Sequence, residues 1–408
     1  MTVRLNHARV LIYSHDTFGL GHLRRCRAIA HSLIDRYKGL SVLIISGSPI
    51  IGSFDFRARV DFVRVPGVIK LRNGDYISLG LHIDLEDTLK IRTAIIQQTT
   101  ETFAPDVFLV DKEPLGFRGE VVSTLTTLRK KGCTTILGLR DIMDEAVPLQ
   151  REWQKKGVFG HLEELYDQIW VYGHKSMGDP LSGLTVKPQL RQNLLYTGYI
   201  KQPISSNYPG PLQVTPPDPY ILVTAGGGAD GEHLIDWVLR AYEQYPDLPI
   251  GALVVFGPFM ASQQQLAFQQ RVDALSQVAA ITFDSQLDSI MAKSVGVIAM
   301  GGYNTFCEIL ALDKPAVLVP RTEPRKEQWL RASRAQKLGL CQMLEYQPMA
   351  PAAVMADVLL HLSTHPQQPS AIGLDGFMSG LDTICQRMES LLPWSQPENR
   401  TRNEGMLP

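Results

Sequence analysis

The sequence predicts an α/β protein with two domains, each built on a mostly parallel sheet flanked by helices. The 408-residue chain is too long for one ordinary hydrophobic core. Short apolar runs alternate with amphipathic helical stretches along both halves, the pattern of a parallel sheet covered by helices. Between Gly198 and Pro219, six prolines exclude regular helix and indicate a linker. We therefore expect an N-terminal domain (1–200), a linker (201–219) and a C-terminal domain (220–370).

Composition narrows the class of protein. The content of 44% hydrophobic and 20% charged residues is typical of a soluble globular protein, and a net charge of −1 argues against a nucleic-acid partner. The five cysteines are odd in number and form no Cys-x-x-Cys pair, so neither a disulfide framework nor a zinc site is expected. Reduced cysteines fit the cytoplasm. No apolar run reaches the roughly 18 residues that span a bilayer, and peripheral membrane contact stays open.

The first domain opens with a strand, a glycine turn and a helix. Residues Val10–Ser14 form the strand, His22 stands at the start of the helix, and Ser41–Ser46 is the next strand. The turn is not a dinucleotide fingerprint, because Arg24 stands where a third small residue belongs. Open α/β sheets bind ligands at this edge, so His22 is a candidate general base for an acceptor hydroxyl. The alternative is a histidine that caps the helix or faces solvent.

Further strands of this domain end on the same edge. The runs 106–111, 134–139 and 168–172 are strand-like, and polar side chains follow each. The acceptor-side candidates at this edge are Gly21, Arg24, Asp111, Arg140 and His174. For each of these side chains, a salt bridge or a loop-anchoring role is the alternative. Residues 66–83 have the composition of a long loop, which suits either acceptor recognition or mobility.

Two glycine turns mark the second domain. Strand Tyr220–Thr224 leads into Gly226, Gly227 and Gly228, whose backbone N–H groups suit an anion, although a tight turn would also explain them. The second turn, Gly301 and Gly302, precedes a helix that begins near Asn304 and Thr305. The partial positive charge of a helix start suits a phosphate. One turn into the helix, Glu308 is placed to hold a ribose, but Thr305-x-x-Glu308 is also the pattern of a capping box.

The end of the chain adds a polar loop and a helix. Glu327 and Gln328, at the end of the loop from Arg321, are candidates for contacts with sugar hydroxyls, and a solvated charged loop is the alternative. An amphipathic helix is predicted over 371–392, packing back on the N-terminal domain. Residues 393–408 are polar and proline-rich, and we expect them to be disordered.

Together these features resemble the GT-B glycosyltransferases, and in particular the MurG-like group with its family 28 C-terminal domain. The resemblance rests on Gly301-Gly302-x-Asn304-Thr305-x-x-Glu308, Lys314-Pro315, Glu327-Gln328, Ala225-Gly226-Gly227-Gly228 and Gly19-x-Gly21-His22. The last of these motifs is also similar to the N-terminal loop of PseG-type UDP-sugar hydrolases. The chain departs from the pattern at Arg24 and Arg25, where MurG-like enzymes usually carry a proline, and at Arg331, where asparagine is usual.

The resemblance implies a GT-B fold, with two Rossmann-like domains facing a cleft. It implies a hexosyltransferase that moves a sugar from a nucleoside diphosphate sugar, UDP-linked, to an acceptor hydroxyl, with inversion and without a metal or cofactor. His22 would be the base, and the backbone near Phe283 would meet the nucleotide base. The acceptor, lipid-linked or a small molecule, and the oligomeric state stay open. The alternatives are a PseG-type nucleotide-sugar hydrolase and a nucleotide-sugar-binding protein without turnover.

Overall fold

The structure is a computed structural model and describes residues 3–15, 21–70, 75–201, 218–284, 286–364 and 368–393. Four sequence predictions lie wholly or partly outside these residues. They are the Gly19 position of the first turn, part of the predicted 66–83 loop (71–74), most of the proline-rich linker (202–217) and the tail from residue 394 onward.

The N-terminal half of the chain contributes a seven-stranded sheet and a small hairpin. In chain order the strands are β1 (Val3–Ser14), β2 (Tyr37–Ser46), β3 (Val60–Arg64), β4 (Val68–Lys70), β5 (Tyr76–Ser78), β6 (Val107–Asp111), β7 (Thr134–Arg140), β8 (Gln168–Tyr172) and β9 (Leu194–Tyr196). The sheet order is β3-β2-β1-β6-β7-β8-β9, and β4 pairs with β5 in the antiparallel hairpin. The pairs β1–β2, β2–β3, β1–β6 and β6–β7 are parallel.

Helices connect these strands. They are α1 (Gly21–Arg36), α2 (Leu85–Phe103), α3 (Val122–Lys130), α4 (Ala146–Lys155), α5 (Val158–Leu165) and α6 (Pro188–Gln192). Sequence analysis does not identify α4, because Pro148 interrupts its helical pattern. The proline lies in the first turn of the helix, where its missing N–H has no intrahelical partner to lose.

The C-terminal half forms a six-stranded sheet with the order β12-β11-β10-β13-β14-β15. Its strands are β10 (Tyr220–Thr224), β11 (Gly251–Val255), β12 (Val278–Ile281), β13 (Gly296–Ala299), β14 (Ala316–Leu318) and β15 (Gln342–Met343). Its helices are α7 (Glu232–Gln244), α8 (Ser262–Asp273), α9 (Leu287–Lys293), α10 (Tyr303–Ala311), α11 (Glu327–Lys337) and α12 (Ala352–Thr364). The last described helix is α13 (Gly380–Glu389). All neighbouring strands in this sheet are parallel.

The predicted α/β class and its two Rossmann-like sheets are confirmed. Residues Val10–Ser14 of β1 and all of β10 are buried, because helices cover both faces of a parallel sheet. In the second sheet, α7 packs one apolar face into the core through Leu234, Ile235 and Val238. The five cysteines are free and buried. Within the described residues, no helix is both long and apolar enough to cross a bilayer.

Two local predictions are wrong. Residues 66–83 are not a loop throughout, because Val68–Lys70 and Tyr76–Ser78 pair as a hairpin whose β-branched and aromatic side chains favour strands. The last helix begins at Gly380 instead of near residue 371. Gly373 and Gly376 stand before it with φ of 61° and 71°, in the left-handed region that interrupts a right-handed helix.

The chain divides into two compact units. Unit 1 comprises residues 1–138, 158–169 and 381–408, and unit 2 comprises residues 139–157 and 170–380. In unit 1, the Tyr37 hydroxyl donates a 2.5 Å hydrogen bond to the Cys385 carbonyl, which ties α13 to β2. Residues 139–157 and 170–200 thus belong to the same unit as the C-terminal half. The sequence assigns them to the first domain, and those domain boundaries stay a prediction.

Candidate functional site

Both predicted sites lie at the point of their sheet where the chain stops adding strands on one side and begins to add them on the other. In the first sheet the strand order reverses between β1 and β6, and in the second it reverses between β10 and β13. In open α/β sheets, ligands bind outside the carboxyl ends of the strands at this switch point. His22 follows β1 and Asp111 ends β6, while the two glycine turns follow β10 and β13. Each unit therefore presents its candidate residues at the place where the topology favours a ligand.

In unit 1, His22 and Asp111 form a buried pair. His22 is the second residue of α1, and its Nδ1 lies 2.5 Å from Asp111 Oδ2. The ionised carboxylate only accepts hydrogen bonds, so the pair assigns the proton to Nδ1 and leaves Nε2 as the basic nitrogen. Asp111 is therefore a positioning residue for His22, the orienting member of a histidine–carboxylate pair.

Arg25 fixes the carboxylate of Asp111 from the other side. Its Nε donates to Asp111 Oδ1 at 2.9 Å and its Nη2 donates to Oδ2 at 2.7 Å, and both side chains are buried. Burial by itself raises the pKa of Asp111, but Arg25 and His22 outweigh burial and hold that pKa well below its usual range. Sequence analysis did not assign Arg25 to the site. Its position three residues after His22, on the same helix face, was the available signal.

His15 is a second histidine at this edge that sequence analysis missed. It directly follows β1, is buried, and its ring centroid lies 6.0 Å from that of His22. Its Nδ1 has no hydrogen-bond partner among the described residues. Burial lowers the pKa of His15 to about 4, so the ring is neutral at physiological pH. The two remaining candidates here, Gly21 and Arg24, lie in the first turn of α1 and are partly exposed.

The first glycine turn of unit 2 combines packing with exposure. Gly228 is buried, and a Cβ there would lie 2.3 Å from the Phe256 carbonyl oxygen, so only glycine permits this backbone approach. Gly226 and Gly227 are exposed, and Gly226 has a φ of 66°. Tight packing thus explains Gly228, while Gly226 and Gly227 present backbone toward solvent.

The second glycine turn starts α10. Gly301 has a φ of 78°, and Gly302 is the N-cap residue, with no side chain to cap the helix. The first amides of a helix have no intrahelical acceptor, and a helix start of this kind suits an anion. Asn304 and Thr305 are partly exposed in this first turn.

The capping-box alternative for Glu308 is wrong. Thr305 is the third residue of α10 instead of its N-cap residue, so Thr305 and Glu308 do not have capping-box spacing. Glu308 is the sixth residue of the helix and is buried. The last donor-side candidate, Phe283, lies after the edge strand β12 and is 40% exposed.

Arg321 organises the loop that contains Glu327 and Gln328. Its Nη2 donates to Glu327 Oε1 at 2.6 Å, and its backbone N–H donates to Gln328 Oε1 at 3.3 Å. Arg321 Nε also lies 2.5 Å from Asp230 Oδ2, an ion pair that joins this loop to the one after β10. Glu327 Oε2 is buried and has no hydrogen-bond partner in the described part of the chain. The alternative of a merely solvated loop does not fit these contacts.

A buried ion pair supports the second glycine turn. Arg331 donates through Nε and Nη2 to the two carboxylate oxygens of Asp141, at 2.9 and 2.8 Å, and through Nη1 to the Gly301 carbonyl at 3.1 Å. Burial by itself lowers the pKa of Arg331, but the Asp141 carboxylate reverses this and raises the pKa above its usual value. Arg331 thus occupies the position where the MurG-like pattern has asparagine, and it supports the glycine turn through the Gly301 carbonyl.

Two acceptor-side candidates belong to unit 2 and have contacts there. The Arg140 guanidinium lies 5.9 Å from the centroid of the Tyr303 ring. His174 Nδ1 accepts a hydrogen bond from the Ser176 backbone N–H at 3.2 Å, and burial lowers the pKa of His174. Of the residues predicted to gather at this edge, His22 and Asp111 are in contact. His174 instead caps a short turn of unit 2.

Comparisons with known proteins agree with this arrangement. Residues 220–373 match the family model described as the glycosyltransferase family 28 C-terminal domain. The glycotransferase of kitacinnamycin has a similar structure, with a TM-score of 0.65 at 13% identity over 95% of this chain and 100% of that one. MurG of Acinetobacter baumannii has a TM-score of 0.55 at 12% identity over 93% and 99% of the two chains.

A third similar structure is that of Phytolacca americana UGT2 complexed with UDP-2-fluoroglucose and pterostilbene, with a TM-score of 0.59 at 13% identity over 94% of each chain. A search of curated protein sequences finds no significant match. At these identities the structural likeness shows the fold alone, which is GT-B. The family match shows that residues 220–373 are similar to a sugar-transfer domain, of the kind found in the MurG-like group.

Proposed function

We propose that the protein transfers a hexosyl group from a nucleoside diphosphate sugar, UDP-linked, to an acceptor hydroxyl, with inversion and without a metal ion. The observation that carries the proposal is the second glycine turn. A segment matching a sugar-transfer family places Gly301 and Gly302 at the open start of α10, at the switch point of its sheet. UGT2 of Phytolacca americana, which shares the fold, is complexed with UDP-2-fluoroglucose, and this supports a UDP-linked donor.

The donor contacts come from unit 2. Amides at the start of α10 and in the Gly226–Gly227 turn bind the diphosphate, and Glu308 binds the ribose. Glu327 Oε2, buried without a partner in the described chain, accepts a hydrogen bond from a sugar hydroxyl. Arg321 holds the other oxygen of Glu327, so this carboxylate is oriented before the donor arrives. Gln328 and the backbone near Phe283 complete the set, on the sugar and on the nucleotide base.

The base comes from unit 1. His22 Nε2 takes the proton of the acceptor hydroxyl while that oxygen attacks the anomeric carbon and the bond to the diphosphate breaks. The imidazolium that forms is stabilised by the Asp111 carboxylate through Nδ1–H. The leaving diphosphate gains negative charge, which the helix-start amides stabilise, and removal of one such donor typically costs about 3 kcal/mol in the barrier.

The test separates catalysis from donor binding. The full chain is incubated with UDP-sugars and a panel of acceptor alcohols, and release of UDP is measured beside UDP binding by calorimetry. His22→Ala lowers turnover at least tenfold with little change in UDP affinity, because His22 acts on the acceptor. Glu308→Ala weakens UDP binding instead. His31→Ala, on the same helix and away from the Asp111 pair, is the matched control and keeps wild-type turnover.

Three results would contradict parts of this proposal. Equal turnover in His22→Ala removes His22 from the mechanism. Unchanged UDP affinity in Glu308→Ala removes the ribose contact. Sugar release at the same rate with and without acceptor alcohols identifies a nucleotide-sugar hydrolase instead of a transferase.

A further inference from the structure

Unit 2 contains a cavity of about 540 Å³ that no step of the proposed mechanism uses. Its walls are residues 142–148 after β7, five residues between Met177 and Ser182 after β8, and Leu330 and Arg334 on α11. All of them belong to unit 2. This volume lies in the range of small-molecule binding sites.

The wall of the cavity combines buried and exposed apolar side chains. Met143 and Met177 are buried beneath it, whereas Val147 is 60% exposed and Leu330 is partly exposed. Methionine side chains adapt to ligand shape, and apolar atoms in a concave wall gain contacts when a hydrocarbon covers them. The cavity therefore suits a ligand with an apolar body.

The acidic side chains of the wall are already engaged. Asp144 Oδ1 accepts the backbone N–H of Lys326 at 3.1 Å, and Glu145 pairs with Lys326 Nζ at 3.0 Å. Asp179 pairs with Arg191. Each carboxylate of the cavity thus has a local cation or amide, and none is left to attract a positively charged ligand.

Arg334 differs from these side chains. It is exposed, lines the cavity, and its guanidinium makes no hydrogen bond or ion pair with any residue that the structure describes. A methyl group placed on Gly178 would lie 3.8 Å from Arg334 Nη2, so the guanidinium lies over this backbone at the cavity wall. Arginine stays charged in proteins, and its planar fork binds carboxylate and phosphate through two hydrogen bonds.

The cavity also continues the proposed sugar contacts along one helix. Glu327, Leu330 and Arg334 follow one another at spacings of three and four residues on α11, which places them on one face. A ligand in the cavity would therefore lie next to the Glu327 end of the donor site. Such a position, beside the proposed sugar contacts, suits the second substrate of a transfer reaction.

We propose that this cavity binds an acceptor substrate that carries a carboxylate or phosphate group on an apolar body, with Arg334 binding the anion. The proposal rests on the proposed sugar transfer and specifies the chemical class of its acceptor. The Arg334 fork pairs with the anionic group, and Val147 and Leu330 cover the adjoining hydrocarbon. An uncharged molecule of the same shape lacks the arginine contact and binds more weakly.

Three probes of equal chain length test the proposal on the full chain. Hexyl phosphate, hexanoate and hexan-1-ol are titrated by calorimetry with UDP present at saturation, so that the diphosphate site is filled. At least one anion should bind ten times more tightly than hexan-1-ol, and the stronger of the two identifies the anionic group. Arg334→Gln should abolish this preference, while Arg334→Lys retains part of it. Lys337→Gln, an exposed cation on the same helix outside the cavity, should leave it unchanged.

Equal binding of all three probes would overturn the proposal, and so would an anion preference that survives Arg334→Gln or falls equally in Lys337→Gln. The heat of UDP binding, measured first in the same samples, reports separately on the proposed function. A protein that binds UDP but shows no anion preference retains the proposed donor site and loses only this acceptor site. A protein that fails to bind UDP fails the proposed function, whatever the outcome with Arg334→Gln.

Discussion

At the scale of single residues, one buried carboxylate connects the candidate residues of unit 1. Asp111 has no exposed surface and is shared between His22 and Arg25. An uncompensated charge at this depth would be costly, and the bidentate arginine makes it tolerable. The arginine also prevents Asp111 from rotating away from His22. Arg25, one of the two arginines at which the chain departs from the MurG-like pattern, thus holds the carboxylate that contacts His22.

His15 makes the stability of the protein depend on pH. Burial lowers the pKa of His15 to about 4, with Glu113 and Asp111 raising it and Lys112 and Arg92 lowering it. An unfolded chain binds a proton at about pH 6.5, so below that pH the unfolded state binds more protons than the folded state. The contribution of His15 to the free energy of unfolding is therefore fully present above pH 6.5. It is lost as the pH falls toward 4, which lowers the free energy of unfolding by about 3 kcal/mol at most.

Urea unfolding at pH 7.0, 5.5 and 4.5 measures this loss. His15→Asn should show a smaller fall in the free energy of unfolding across the range than the wild type. The surface residue His161 provides a matched control, and His161→Asn should keep the wild-type slope. Identical slopes in the wild type and His15→Asn would show that His15 does not cause the acid sensitivity.

At the scale of elements, two different physical reasons explain the glycines of the two turns. One reason is conformational, as at Gly228, where a side chain would collide with the Phe256 carbonyl. The other is access, as at Gly302, where an added Cβ would meet no atom within 4 Å. A glycine needed for packing and a glycine needed for ligand approach look identical in the sequence, but they respond differently to alanine.

Alanine substitution of neighbouring glycines separates these two reasons. Gly301→Ala should destabilise the protein by about 1–2 kcal/mol, since Gly301 has a φ of 78° and alanine is strained in the left-handed region. Gly302→Ala should change stability by less than about 1 kcal/mol, because its φ of −56° is ordinary, and should weaken UDP binding at least tenfold. Thermal melting and calorimetry measure the two effects, and Gly52→Ala is the control for both. Wild-type UDP affinity in Gly302→Ala would argue against a phosphate at this helix start.

At the scale of the whole molecule, a buried ion pair in unit 2 links two segments that are remote in sequence. Arg331 and Asp141 are separated by 190 positions, and the pair joins α11 to the segment after β7. The Tyr199 hydroxyl also donates to Asp141, at 2.7 Å. Because Arg331 donates to the Gly301 carbonyl as well, the same pair supports the glycine turn. Stability and the geometry of the proposed donor site are therefore coupled in this unit.

Breaking this pair from one side should be costly. Arg331→Met leaves the Asp141 carboxylate buried without its partner, and the free energy of unfolding should fall by about 3–5 kcal/mol. The double variant Arg331→Met/Asp141→Leu should lose less than the sum of the two single variants, because it leaves no buried charge. Denaturant unfolding measures all three. Lys156→Met, which breaks a surface pair with Glu152, should cost less than about 1 kcal/mol. Additive losses in the double variant would show that the pair is not coupled.

Much of the fold was predictable because its signals are local. The alternation of buried runs with amphipathic stretches indicated both sheets, and the glycines directly after the apolar runs located both turns. The shortest elements were missed, such as the hairpin of β4 and β5, because three-residue strands have too little pattern to detect. The start of the last helix was misplaced, since nothing in the sequence alone requires Gly373 and Gly376 to be left-handed.

By itself, the sequence determined the α/β class, the strand edges and the residue types that stand at them, since these depend on hydrophobic period and turn chemistry over a few residues. Only the tertiary structure decided which charged groups meet. Asp111 with Arg25, and Asp141 with Arg331, are paired across 86 and 190 positions. Asp111 and Arg25 become neighbours because β1 and β6 lie side by side in one parallel sheet, so the end of β6 lies near the helix that follows β1. Asp141 and Arg331 follow strands of two different sheets, and no local pattern in the sequence records that meeting.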